Sequence, residues 1–198
     1  MSYLMENGIF TPLSKSIIEN TSTFSCGNAD LDDFFHCDCI DFSNSLFGKS
    51  YCFVDKKSTD TILCAFTVSN ACIFTNLLPS SRKHKIGKQI PNTKRELIYP
   101  AVLIGRLGVN NRFQKLRIGS DLMDFIKSWF TESSNKTGCR YLVVDAYNSE
   151  LPIRYYLSNG FDFMFSTETQ EKEYRNIKSH DALHTRLMYF DLIRIIKK

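Results

Sequence analysis

The sequence predicts a mixed α/β sheet with helices packed on it, folded as a single domain over residues 1–198. Three observations lead there. A chain of 198 residues has the length of one ordinary domain. Its second half alternates strand, helix, strand, helix, strand, and its first half reads as a helix followed by a hairpin. Its composition, 43% hydrophobic and 23% charged, is that of a globular chain and excludes wholesale disorder. No run approaches the ~18 apolar residues of a membrane span, and the opening MSYLMENGIFTPLSKS lacks a signal peptide's apolar segment. The expectation is a cytoplasmic protein with no membrane contact. The seven cysteines form no CxxC pair, and Cys37 and Cys39 have the wrong spacing for zinc or redox chemistry, so they read as small apolar residues.

The elements follow in order. Pro12 to Ile18 reads as an N-terminal strand. Asn28 is a candidate N-cap with Asp30 at the positive end of the dipole, and Leu31, Phe34, Phe35, Phe42 and Leu46 share one helical face. Lys49 to Val54 and Thr61 to Ile73 are β-rich runs joined by the polar turn Lys56 to Asp60, an antiparallel hairpin. Residues 74–99 break the pattern with a basic excursion carrying Arg82, Lys83, Lys85, Lys88, Lys94 and Arg95. Ala101 to Val109 is a buried-looking strand. Leu122, Phe125, Ile126, Trp129 and Phe130 mark an amphipathic helix. Tyr141 to Ala146 is a strand, Ile153 to Asn159 a short helix stopped by Gly160, and Phe161 to Phe165 and Leu187 to Ile195 are closing strands.

The segment richest in chemistry is LGVNNRFQKLRIGSDL, residues 107–122. A strand stops at Val109, a polar loop brings Arg112, Lys115 and Arg117, and a helix starts near Ile118 and Gly119. Unpaired N–H groups of a first turn, the positive end of the dipole and nearby cations make a pyrophosphate cradle. A solvated basic loop would show the same residues, since neither GxGxxG nor GxxxxGK[ST] is present.

The same segment resembles the acetyl-CoA signature of the GNAT superfamily of N-acetyltransferases, a Gln/Arg-x-x-Gly-x-Gly/Ala loop after the fourth strand. Gln114 and Gly119 match its ends, and Arg117 stands where the first glycine usually is, a departure compatible with the fold if that position needs no positive φ. LVVDAYNSELPIRYYLSNGF resembles the second signature through Asn148, Tyr156, Gly160 and Phe161, with one extra residue between Asn148 and Tyr156. FSCGNADLDDFF, IPNTKRELIYPAVLIGRLGV and TRLMYFDL resemble the branch that contains tRNA-acetylating toxins, so the resemblance spans about residues 10–193.

The resemblance implies a GNAT-like, mostly antiparallel mixed sheet with a splay between strands 4 and 5, and acetyl-CoA as acetyl donor. Backbone groups of Leu107, Gly108 and Val109 would pair with the pantetheine arm. The loop Gln114, Lys115, Leu116, Arg117, Ile118, Gly119 and Ser120 would take the pyrophosphate, and Asn148 would hydrogen-bond the pantetheine. Tyr156 would protonate the leaving thiolate, with Tyr155 next in line if the extra residue shifts the helix. The implied reaction is direct attack of an amine on the acetyl carbonyl. The acceptor is either the α-amine of aminoacyl-tRNA or a small-molecule or protein amine, and the basic excursion would track RNA phosphates. An antitoxin and a second copy in a homodimer are the implied partners. A non-catalytic acyl-CoA-binding or interaction module of the same fold is the alternative function.

No dedicated base stands out: Asp145 and Glu150 lie near the right loop but read equally as strand-end or capping acids. An α-amine, with a pKa of about 7.7–8.0, needs a base less than a lysine at about 10.4. No metal site is expected, since His180 and His184 lack a third ligand. Cys37 and Cys39 lack a positioned histidine that would make them nucleophiles.

Overall fold

Strands from both halves of the chain line up in one seven-stranded sheet. The computed structural model describes residues 2–88, 90, 97–135 and 137–196. The strands are β1 (Gly8–Pro12), β2 (Lys49–Asp55), β3 (Ile62–Phe74), β4 (Ile98–Val109), β5 (Tyr141–Tyr147), β6 (Asp162–Phe163) and β7 (Thr185–Asp191). Their order is β1-β2-β3-β4-β5-β7-β6, mostly antiparallel with β4 and β5 parallel. The chain divides into two compact units, one of Met1–Ser69 with Ile104–Ile126 and one of Asn70–Leu103 with Lys127–Lys198.

In the first unit, Gly8↔Asp55 through Pro12↔Tyr51 set the β1–β2 register, and the predicted hairpin is β2 against β3. The helix predicted after Asn28 begins there: the Asn28 side chain accepts from Leu31 N–H, capping α3 (Ala29–Asp33). It continues through a π-helical turn, Phe34–Asp38, into α4 (Cys39–Asn44). Phe34 and Phe35 are buried as the helical face requires, but Leu46 is 89% exposed in a left-handed turn at φ 62. The predicted strand from Pro12 to Ile18 is instead the end of β1, which follows a first helix, α1 (Tyr3–Asn7), and is itself followed by α2 (Lys15–Asn20). Ser14 accepts from Ile17 N–H there and starts a helix that its β-branched isoleucines did not suggest. The core of this unit gathers Leu13, Phe24, Phe34, Phe35, Cys39, Cys52 and Ile62. Phe125 of α6 (Ile118–Thr131) packs on Phe10 and Phe53 at centroid distances of 4.7 and 5.0 Å.

In the second unit the core gathers Ile73, Leu78, Ile86, Tyr99, Tyr141, Val143, Phe165 and Tyr189. The basic excursion is not wholly irregular: its described part contains α5 (Ser80–Gly87), whose Ile86 is buried and offers its carbonyl to the Tyr141 hydroxyl at 3.0 Å. Lys94 and Arg95 lie outside the described residues. The helix expected at Ile153 starts earlier, as α7 (Glu150–Ser158), and Gly160 follows it at φ +79. The closing strands are shorter than predicted. Phe161 to Phe165 yields only β6, and β7 ends at Asp191, whose carboxylate accepts from Ile193 N–H to open α9 (Ile193–Ile196). Between them lies α8 (Glu168–Arg175), which the hydrophobic pattern did not mark because its residues are almost all polar.

Candidate active site

The first unit supplies the loop after β4. Leu107 and Val109 are half-buried at the strand's end and Gly108 is buried. A Cβ on Gly108 would lie 3.0 Å from Cys26 Cβ and Sγ and 3.3 Å from Phe24 Cζ, so the residue is small because segment 24–26 presses on it. That segment is itself tied down: Asp32 accepts from Cys26 N–H and the Ser25 hydroxyl, each at 2.7 Å. Those bonds hold the Asp32 carboxyl below its usual range against the opposing effect of burial, while burial and Asp32 together push the Cys26 thiol up to about 11. Asn110 closes the strand by donating Nδ2 to Ile62 O and accepting from Arg112 N–H.

Gln114, Lys115, Leu116 and Arg117 are exposed, and the Gln114 amide donates back to Cys26 O at 3.3 Å. Lys115 and Arg117 have φ of 71° and 60°, while Leu116 between them does not. The glycine position of the signature therefore does demand left-handed backbone, and the expectation that Arg117 sits there without positive φ is corrected. A left-handed L-residue costs about 1–2 kcal/mol, and such strain collects at functional sites. Residues alternating in hand make a nest of convergent N–H groups that suits an anion. The nest runs straight into α6, where Arg117 O accepts from Asp121 N–H. The backbone of Ile118, Gly119 and Ser120 then falls in the first turn, where the dipole is positive. Ile118 is buried and fixes the turn, while Gly119 and Ser120 are half-buried. The residues fit a pyrophosphate.

In the second unit lie Asn148, Tyr155 and Tyr156. Tyr156, on α7, packs edge-on against Phe161 at 5.4 Å and against Tyr155 at 5.0 Å. The residue as a whole is half-buried, and burial raises its hydroxyl's pKa, so it stays a protonated donor through neutral pH. Both donors of the Asn148 amide are engaged, by Glu168 Oε1 at 3.0 Å and Leu183 O at 2.8 Å. A contact from Asn148 to pantetheine would have to use the amide oxygen. Asp145, one of the two candidate bases, is held by both guanidinium nitrogens of Arg175 at 2.6 and 3.2 Å. Glu150 sits exposed in the first turn of α7.

The residues that organise this face are on the helix the sequence reading missed. Glu171 is fully buried and accepts from Arg175, Arg186 and Leu187 N–H at 2.7–2.8 Å. Glu168 accepts from Leu183 N–H and Asn148. A local signal for α8 existed: Thr167 caps Gln170 N–H, the Gln170 side chain reaches back to Ser166 N–H, and Asn176 ends the helix left-handed at φ 56. This is a capping-box pattern with a left-handed stop.

On α5, the predicted phosphate contacts divide. Arg82 donates to the carbonyls of Met164 and Phe163, and Lys85 pairs with Asp162 at 2.6 Å. Lys83 and Lys88 are exposed. Among the described residues no cluster of three or more His, Cys, Asp or Glu could hold a metal, and no helix is long and apolar enough to cross a membrane.

No protein-family model and no curated protein sequence matches the chain. Solved structures do. A KacT mutant with a tyrosine replaced by phenylalanine aligns with a TM-score of 0.67 and 18% identity, over 96% of this chain and 98% of that one. AtaT complexed with acetyl-methionyl-tRNAfMet gives 0.65 and 18%, over 96% and 98%. AtaTR bound with AcCoA gives 0.62 and 16%, over 98% of each chain. Likeness at this identity shows the fold alone: this chain has the GNAT-like fold of those structures.

Proposed function

We propose that the chain transfers the acetyl group of acetyl-CoA to an amine, and that the amine is the α-amino group of an aminoacyl-tRNA. The observation that carries this reading is the strained nest at Lys115 and Arg117 leading into the first turn of α6. Two cationic side chains in left-handed backbone ahead of the positive end of the α6 dipole suit a pyrophosphate. The full-length likeness to AtaT with acetyl-methionyl-tRNAfMet and to AtaTR with AcCoA supports the choice of donor and acceptor.

The residues then divide the work. The nest and the N–H groups of Ile118, Gly119 and Ser120 hold the pyrophosphate, and the Leu107 and Val109 backbone pairs with the pantetheine arm as an added strand would. The amine nitrogen attacks the acetyl carbonyl carbon. The C–N bond forms as the carbonyl electrons move to oxygen, and their return breaks the C–S bond. Tyr156, kept protonated by burial, gives its proton to the departing thiolate. The nitrogen's surplus proton leaves to water, and the phenol is reprotonated from solvent.

Of the two candidate bases, Asp145 is tied to Arg175, as Glu168 is to Asn148 and Leu183, while Glu150 stays exposed in the first turn of α7. That favours an acceptor already partly neutral at pH 7, an α-amine with a pKa of about 7.7–8.0 over a lysine at about 10.4. Lys83 of α5 and Lys88, which caps its C-terminus, are the exposed cations proposed to meet tRNA phosphates. An antitoxin and a second copy of the chain are the proposed protein partners.

The test is thiol release from acetyl-CoA with charged tRNA, uncharged tRNA and a lysine peptide offered in parallel. Release with charged tRNA alone is expected. Release with the peptide but not with charged tRNA overturns the acceptor. Acetyl-CoA binding without release to any of the three assigns a non-catalytic acyl-CoA-binding module instead.

A further inference from the structure

The bonds around Asn148 fix more than its position. Its backbone N–H donates to His184 O at 2.8 Å, just past the last β5–β7 pair, Tyr147↔Thr185. Its side-chain NH2 group donates to Glu168 Oε1 at 3.0 Å and to Leu183 O at 2.8 Å. The other oxygen of Glu168 accepts from Leu183 N–H at 2.9 Å. Three residues thus close a ring of bonds, in which Leu183 gives its N–H to the glutamate and lends its carbonyl to the asparagine. Leu183 is buried, Asn148 and Glu168 are half-buried, and all three belong to the second unit.

The ring decides which way round the amide stands. The two ends of an asparagine side chain are nearly alike in shape, and only their partners distinguish oxygen from NH2. Here both partners are acceptors alone, a peptide carbonyl and an ionised carboxylate. Leu183 N–H and then the Asn148 amide hold the Glu168 carboxyl below its usual range, and Arg186 adds its charge at 3.9 Å, so the group carries no proton at neutral pH. The NH2 group must therefore face Glu168 and Leu183, and the oxygen is what remains for a ligand. Without the carboxylate one N–H loses its acceptor, and the amide is free to turn about its last bond.

We propose that Glu168 is a positioning residue of the acetyl-CoA site: it sets the Asn148 amide so that the oxygen accepts a hydrogen bond from an amide N–H of the pantetheine arm. The proposal rests on the acetyl-CoA reading above. The pantetheine arm carries two amides, each with one donor and one acceptor, so the orientation of Asn148 selects a donor and excludes a carbonyl. Glu168 acts in this role only through Asn148.

The experiment is a calorimetric titration of the full chain with acetyl-CoA and with two analogues, each having one pantetheine amide N–H replaced by an ester oxygen. The wild-type protein should bind acetyl-CoA and lose about tenfold, equivalent to ~1.4 kcal/mol, on one of the two analogues. Glu168→Gln keeps the size of the side chain but turns a donor towards Asn148 or Leu183. It should weaken acetyl-CoA and bind that analogue and acetyl-CoA nearly alike. Glu168→Asp, one methylene too short to keep both bonds, is the second variant and should behave in the same way. In an Asn148→Ala background, Glu168→Gln should cost nothing further, because two residues acting through one contact do not add. Folding of each variant is verified by circular dichroism. Wild-type protein that binds acetyl-CoA and both analogues equally overturns the proposal and leaves the acetyl-CoA reading standing. So do Glu168 variants that keep the wild-type discrimination, or losses that add in the double variant. Wild-type protein that binds no acetyl-CoA overturns the reading itself, and this proposal with it.

Discussion

Replacing Arg117 with glycine should make the protein more stable, although it deletes a side chain. Arg117 sits at φ 60, where the Cβ of an L-residue crowds its own backbone at a cost of about 1–2 kcal/mol. Glycine removes that crowding but brings more freedom to the unfolded chain, a loss of roughly 0.5–1 kcal/mol. The balance is a net gain of about 0.5–1 kcal/mol, and at about 2–4 °C per kcal/mol for a domain of this size the melting temperature should rise by ~1–4 °C. Arg117→Ala is the control. It deletes the same exposed guanidinium but keeps a Cβ in the left-handed region, so it should stay within about ±0.5 kcal/mol of the parent. Lys115→Gly, at φ 71, should repeat the gain. Calorimetric melts of the ligand-free variants decide it. Should glycine and alanine melt together, or glycine melt lower, the backbone at 117 is not strained and the nest argument falls.

Other outcomes follow from the same geometry. Tyr156→Phe should keep the fold and acetyl-CoA affinity but slow turnover by about 10²-fold, the scale of general-acid effects, as read from thiol release. Because burial raises the Tyr156 pKa, the rate should climb with pH to a plateau set by the acceptor amine, near about 8 for an α-amine, with no falling limb from the phenol through ~10; a decline starting near neutrality would remove Tyr156 from the reaction. Glu171→Ala strands Arg175 and Arg186 around a fully buried site and should cost about 3–5 kcal/mol in a urea melt, the usual penalty for breaking a buried pair. Lys83→Ala and Lys88→Ala should each shallow the slope of log tRNA affinity against log salt by about one unit. Arg82→Ala should instead lower the melting temperature, since its guanidinium serves Phe163 and Met164.

Elements with a hydrophobic rhythm could be read from the sequence; those held by polar bonds could not. The β2–β3 hairpin, α6 and β5 declare themselves through buried residues at period 2 or 3.6, and Asn28 announces its helix by the cap alone. Helix α8 has no apolar stripe, because its inward residue is Glu171, stabilised by Arg175 one turn on and by Arg186, 15 residues away on β7. Nothing local in QEKEYR, residues 170–175, tells that Glu171 is the buried glutamate and Glu173 the exposed one. Ser14 shows the reverse error: Ile17 and Ile18 favour a strand by propensity, and one hydroxyl accepting from Ile17 N–H tips the segment to helix. At the site, the loop residues were legible because a strand, a polar loop and a helix start are local features. The commitments of Asn148 and Asp145 were not, since their partners Leu183 and Arg175 lie about 30 residues away.

The same contrast bears on why arginine occupies a glycine position. A chain that needed only the turn could use glycine and avoid the strain at 117, and likewise at 115. Keeping both cations there is favourable only if the side chains return more than the ~1 kcal/mol net that each left-handed conformation costs. A charged donor to an anionic oxygen contributes about 1.5–3 kcal/mol, enough to offset it, whereas an exposed cation facing water contributes nothing comparable. Both side chains are exposed, so on the proposed reading the return comes from a bound anion. On the proposed reading that anion is the pyrophosphate, and the loop accepts strain in the empty state to hold two positive charges where a glycine loop would offer backbone N–H groups alone. Acetyl-CoA affinity should then fall with rising salt more steeply in the parent than in Arg117→Gly, and a slope identical in the two would place the guanidinium outside the phosphate contact.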